Sequence, residues 1–115
     1  MSPHALSGRG SIFEGFVLTE IIKCYATKGR LASLYFWRDH LGIEIDGLLE
    51  KENGYIAIEI KSTATFTPDL LIELNKWRKI ANDKVIKACL IYGGNESFQY
   101  DGVDIIAWDK SSEIL

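Results

Sequence analysis

Two alternating stretches on either side of Glu52-Asn53-Gly54 constrain this chain more than any other part of it. Ahead of the turn, Ile43 and Ile45 alternate with Glu44 and Asp46. Behind it, Ile56, Ile58 and Ile60 alternate with Ala57, Glu59 and Lys61, the period of half-buried strands. Asn-Gly supplies the positive φ angles of a two-residue hairpin loop, so the second strand is expected to fold straight back on the first. Residues two apart share a face, which groups Glu44 with Asp46 and Glu59 with Lys61, and a hairpin can bring Asp46 and Glu59 together.

Those residues carry the pattern D-x(n)-E-x-K, and the residue types have a chemical logic. A hard divalent cation takes one or two carboxylates plus water and phosphate oxygens. Asp46, Glu59 and the backbone carbonyl of Ile60 are therefore candidate ligands for Mg²⁺ or Mn²⁺. Lys61 would orient a bound water or offset developing charge. The plainer alternative is a surface carboxylate and a cross-strand Glu-Lys pair. Glu14 is a fourth candidate, projecting from the first helix toward the same sheet; Ser11-Ile12-Phe13-Glu14 also fits a capping box, which gives that carboxylate a structural task. Glu20 falls on the apolar helix face, where a buried acid needs a partner such as Arg38 or a metal. His4 and His40 read as solvated residues rather than ligands.

The rest of the chain supplies a frame for this hairpin. With 115 residues, 47% of them hydrophobic, it fits one domain with a real core. Residues 1–9 read as a lead-in. A first helix starts at Ser11, where Phe13, Val17, Ile21 and Cys24 recur at helical spacing and Phe16, Leu18, Ile22 and Tyr25 widen the apolar face, implying deep burial; Lys28-Gly29 ends it. Leu34 to Arg38 reads as a strand leading into the hairpin. Thr67-Pro68-Asp69 marks a second helix start, with a threonine cap and a proline at the first position, followed by a stripe of Leu70, Leu71, Leu74, Trp77 and Ala81; Asn82-Asp83 stops it. Lys84 to Tyr92 ends in the unbroken apolar run of a strand buried on both faces, Gly93-Gly94-Asn95 turns the chain, Val103 to Trp108 is a last strand, and the tail from Asp109 is expected to fray. The order is helix, three strands, helix, strand, strand: an α/β domain. Cys24 and Cys89 read as buried free thiols. No apolar run is long enough for a membrane span, and the N-terminus lacks the apolar stretch of a secretion signal, so a cytoplasmic location is expected.

Net charge is −3, which argues against a general nucleic-acid coat protein, but the charge is unevenly placed. Residues 1–38 and 61–92 each carry +3, whereas residues 39–60 carry −5 and residues 93–115 carry −4. Acids flanked by basic segments suit a metal site approached by a polyanion, and also suit an ordinary charged surface. Lys76, Arg78, Lys79, Lys84 and Lys87 are the candidates for contacts to a nucleic-acid backbone.

Taken together, Gly10-Ser11-Ile12-Phe13-Glu14-Gly15-Phe16-Val17, Glu20-Ile21, Leu34-Tyr35-Phe36-Trp37-Arg38-Asp39, Gly42-Ile43-Glu44-Ile45-Asp46, Ile58-Glu59-Ile60-Lys61 and Tyr92-Gly93-Gly94 span nearly the whole chain. In that order they resemble the C-terminal domain found after the ATPase module of many bacterial and archaeal AAA+ type ATPases, a domain similar to the PD-(D/E)XK nuclease superfamily. The resemblance implies a restriction-endonuclease-like αβββαβ core over residues 1–115, with a central mixed sheet flanked by helices and an extra C-terminal strand. It further implies Glu14 as the helix acid, Asp46 and Glu59 as metal ligands, Lys61 as the catalytic lysine, Mg²⁺ or Mn²⁺ as cofactor, and a nucleic-acid phosphodiester as substrate, DNA ahead of RNA. Two positions depart from the pattern: Ile45 stands where the family name has proline, and Gly47 follows Asp46 where an apolar residue is usual. A third departure is that these 115 residues hold no ATPase module. The rival expectation is a non-catalytic regulatory or interaction domain that docks on such an ATPase or on itself, with or without binding nucleic acid.

Overall fold

A computed structural model describes residues 11–114, leaving the expected lead-in 1–9 and the side chain of Ser11, on which the capping box rests, outside the described part. The fold is α/β, built on a six-stranded mixed sheet. Its elements are α1 (Ser11–Thr27), β1 (Leu34–Arg38), β2 (Glu44–Lys51), β3 (Gly54–Lys61), α2 (Ile72–Ala81), β4 (Val85–Tyr92), β5 (Phe98–Tyr100) and β6 (Val103–Ala107). The strands lie in the order β1-β2-β3-β4-β6-β5. The first three are antiparallel, β3, β4 and β6 run parallel, and β5 closes the far edge antiparallel to β6.

Strand alternation sends two different sets of side chains to the two faces, and each helix covers one. Val17, Ile21 and Tyr25 of α1 pack on Leu49, Ile56, Ile58, Ile60, Cys89, Ile91 and Ile106. Leu74 and Trp77 of α2, with Leu71 just ahead of it, pack on Ile43, Ile45, Leu48, Ala57, Ala88, Leu90, Val103 and Ile105. The run Ala88 to Tyr92 is buried throughout, as a strand covered on both faces requires. Gly29 ends α1 at φ +72, and the amides of Gly29 and Arg30 donate to the carbonyls of Ala26 and Tyr25, the paired bonds of a Schellman cap.

Several expectations are corrected. The broad apolar face of α1 is buried along one stripe only; Phe16, beside Trp108, and Ile22, beside β1, stay exposed on its two flanks. Glu20 is not a buried acid, being 40% exposed and 3.9 Å from Lys23, while Arg38 pairs with Glu44 at 3.3 Å. Thr67 and Pro68 open a 3-10 turn, Pro68–Leu71, that precedes α2, and Thr67 stands at its N-cap without a side-chain hydrogen bond. The segment from Trp108 forms 3-10 turns with Ser111 buried, rather than fraying. The hairpin loop is Glu52-Asn53, with Lys51 opposite Gly54, and Asn53 does not have a positive φ. Gly54 is needed for another reason: a Cβ there would sit 2.3 Å from the carbonyl oxygen of Lys84. Phe98–Tyr100 forms a strand, β5, that periodicity does not signal, turned back on β6 by Asp101-Gly102 at φ 52 and 77, a hairpin turn of the kind that residue pair favours. Among the described residues no helix is long and apolar enough to cross a membrane.

Candidate functional site

The site begins with an irregularity in β2. Tyr35 of β1 pairs with Leu48 and Trp37 pairs with Ile45, so the single residue Phe36 faces both Asp46 and Gly47. This is a β-bulge, which bends its strand and interrupts regular pairing. The ladder between β2 and β3 accordingly ends at Gly47 and Ile58. Gly47 fits the bend because a Cβ there would lie 3.1 Å from a Leu34 methyl and 3.5 Å from one of Leu18.

Beyond that point side chains take over from the ladder. The amide of Ile60 donates to Asp46 Oδ2 at 2.8 Å, and the amide of Asp46 donates to Glu59 Oε1 at 3.3 Å. Each strand thus receives the carboxylate of the other. Asp46 borders a pocket of about 320 Å³ with Gly15, Leu18, Thr19 and Ile22 of α1, whereas alternation with Ile58 and Ile60 assigns Glu59 and Lys61 to the α2 side. The two acids therefore meet in the gap between the parted strands rather than on one face of the sheet. A residue in a strand points its amide and carbonyl the same way, so the Ile60 carbonyl is also turned toward β2.

Burial makes this arrangement costly unless it is compensated. Asp46 is 3% exposed, Glu59 0% and Glu14 1%, and a buried carboxylate costs several kcal/mol (of order ~5) without hydrogen bonds or a cation. Two backbone amides offset part of that. The donor set fits a hard divalent cation to this extent: two carboxylates fixed side by side, each using one oxygen in the bonds given above, beside a turned-in carbonyl. Glu14 sits on the buried stripe of α1 with Val17 and Ile21. Among the described residues no three His, Cys, Asp or Glu side chains form a metal-ligating group. Lys61 is half-buried at the end of β3, opposite Tyr92 of β4.

The candidate backbone contacts are spread out. Arg78, Lys79 and Lys87 line a pocket of about 570 Å³ at the start of β4, and Lys84 lies beside the β2–β3 hairpin loop. Lys76 is exposed on α2. Glu59 pairs with Leu90, three residues along β4 from Lys87, a rise of ~10 Å at ~3.3 Å per residue. The basic pocket and the acidic pair thus occupy opposite ends of the sheet. What sequence reasoning did not find is the bulge, which single-strand periodicity does not signal.

Fold and site together define an α/β domain whose antiparallel strands part around two buried carboxylates. The family model described as Domain of unknown function (DUF4143) matches residues 9–110, and the chain belongs to that family. Comparison with curated proteins gives no match.

Proposed function

We propose that this chain is a metal-dependent, nuclease-like domain of the PD-(D/E)XK type that hydrolyses nucleic-acid phosphodiester bonds. The observation that supports it best is the reciprocal pair of hydrogen bonds holding Asp46 and Glu59 together between parted strands, with Lys61 two residues further along β3. Asp46, Glu59 and the Ile60 carbonyl would hold Mg²⁺ or Mn²⁺, which when bound would lower the pKa of a water and polarise the phosphate. Lys61 holds positive charge beside the phosphate and orients the attacking water; the water oxygen bonds to phosphorus and gives up its proton to solvent, as the bond to the leaving oxygen breaks and that oxygen takes a proton from solvent. Glu14 supports the site from α1 through a ligand water. Lys76, Arg78, Lys79, Lys84 and Lys87 contact the backbone of the nucleic acid, DNA ahead of RNA, and a cytoplasmic location goes with this reading.

Cleavage of a labelled oligonucleotide with Mn²⁺ tests it. Asp46→Asn and Lys61→Ala are each expected to reduce the rate at least ~100-fold while the chain stays folded, within the range typical for loss of one positioned group. Equal rates in all three proteins would overturn the reading.

A second reading, a regulatory or interaction domain associated with an AAA+ type ATPase, is favoured by a specific observation. Ile12, Phe16 and Ile22 leave exposed apolar surface on α1, with Ile22 beside Leu34 and Tyr35 of β1 and Phe16 beside Trp108. It predicts association with an ATPase module or with a second copy, and no Mn²⁺ binding by calorimetry.

A further inference from the structure

The far edge of the sheet carries aromatic rings that the core does not use. Phe98 and Tyr100 of β5 are 38% and 42% exposed, and they lie opposite Ile105 and Val103, whose side chains belong to the α2 side. Phe66 holds both from behind, with ring centroids 5.4 Å from Phe98 and 5.2 Å from Tyr100, and Tyr92 packs edge-on against Phe98 at 6.5 Å. The Tyr92 hydroxyl in turn donates to the Glu96 carbonyl at 2.8 Å. The rings are therefore fixed before anything binds, with part of each surface open to solvent.

Positive charge borders the same rings. Arg78 of α2 donates from Nη1 to Asn75 Oδ1 at 3.0 Å and to the carbonyl of Asp101 at 3.1 Å, so its guanidinium is held at the turn that follows Tyr100. Lys79 lines the pocket beside it. The nearest strand acid, Asp104, alternates with Val103 and Ile105 and so faces the other way, where it accepts from Gln99 at 2.7 Å and pairs with Lys87 at 3.6 Å. Glu96 and Asp101 are exposed on the same edge, and the Arg78 guanidinium fixed at the Asp101 carbonyl is the cation set against them. Open aromatic rings next to a fixed guanidinium suit the bases and phosphates of an unpaired strand; a duplex keeps its base faces stacked inside. Lys61 shares this side of the sheet, three strand spacings (~14 Å) across from β5 and two residues (~7 Å) further along than Phe98, a reach of a few nucleotides.

We infer that Phe98, Tyr100 and Arg78 form a stacking platform for single-stranded nucleic acid, which leads a single-stranded substrate, or a single-stranded flank, toward Lys61. The destination rests on the nuclease reading; the platform itself does not. Fluorescence anisotropy of the whole chain with a labelled oligothymidylate, in EDTA, separates the two. The single strand is expected to bind at least tenfold more tightly than a duplex of equal length. Tyr100→Ala and Phe98→Ala are each expected to weaken binding about fivefold or more, the loss of one base stack. Tyr100→Phe should retain binding, and Tyr100→Leu, which keeps bulk but loses the aromatic face, should not; unchanged melting temperatures exclude unfolding as the cause. Equal affinity for duplex, no binding, or variants that bind like the parent would overturn the platform, as would a change in sedimentation with Tyr100→Ala and no loss of binding, which would mark the patch as a contact between copies. Single-strand binding without Mn²⁺-dependent cleavage would leave the platform standing and remove the hydrolase.

Discussion

Individual side chains in this domain are set by what lies around them more than by their type, and the two cysteines show it. Cys89 is fully buried in β4, and burial pushes its thiol from 9.0 up to about 12, whereas Cys24 is partly open on α1. A thiol-reactive dye at pH 8 is expected to label Cys24 alone in the native protein and both after denaturation. The raised value also has a stability consequence with a definite sign. A group whose folded pKa exceeds its unfolded one stabilises the fold below the unfolded value and loses that contribution as pH rises, here between 9.0 and about 12. Cys89→Ala should flatten the alkaline fall of the melting temperature over that window. At Asp46, Asn is the informative replacement because it keeps an oxygen for the Ile60 amide while removing charge, so a loss of Mn²⁺ binding with little change in melting would assign the carboxylate to the ion.

Elements show where the sequence speaks and where it is silent. Alternation in Ile43 to Asp46 and Ile56 to Lys61 was enough to pair β2 with β3 and bring the two acids near each other, and the leucine stripe with Trp77 was enough to place α2. The same alternation implied one continuous hairpin face, and that failed at Asp46. Two residues of β2 oppose one of β1 there, and a bulge is a property of the pairing, not of either strand alone. Asn53-Gly54 looked like a loop pair for the same local reason, yet Gly54 serves the approach of the Lys84 carbonyl, a contact from thirty residues away in the chain. Gly54→Ala is accordingly expected to cost at least ~2 kcal/mol, from strain at its positive φ of 151 and collision with that backbone, and to lower the midpoint of urea unfolding. Phe16 and Ile22 of α1 stay exposed against expectation because composition cannot say how wide a stripe of a helix the sheet will take.

At the scale of the whole molecule, one sheet separates two hydrophobic layers that share only its backbone. Ile21 belongs to one and Ile105 to the other. Ile21→Val and Ile105→Val are each expected to cost ~0.5–1.5 kcal/mol, and the double variant to cost their sum within ~0.5 kcal/mol, read from denaturant midpoints. A larger discrepancy would show the layers to be coupled through the strands. The extra residue in β2 has a different reach. Since Asp46 and Gly47 together occupy one place opposite Phe36, removing Gly47 would leave every inward side chain of that strand inward while letting the ladder zip past Ile58. The loss of a single codon would then preserve the architecture and close the gap between the strands that Asp46 and Glu59 now bridge.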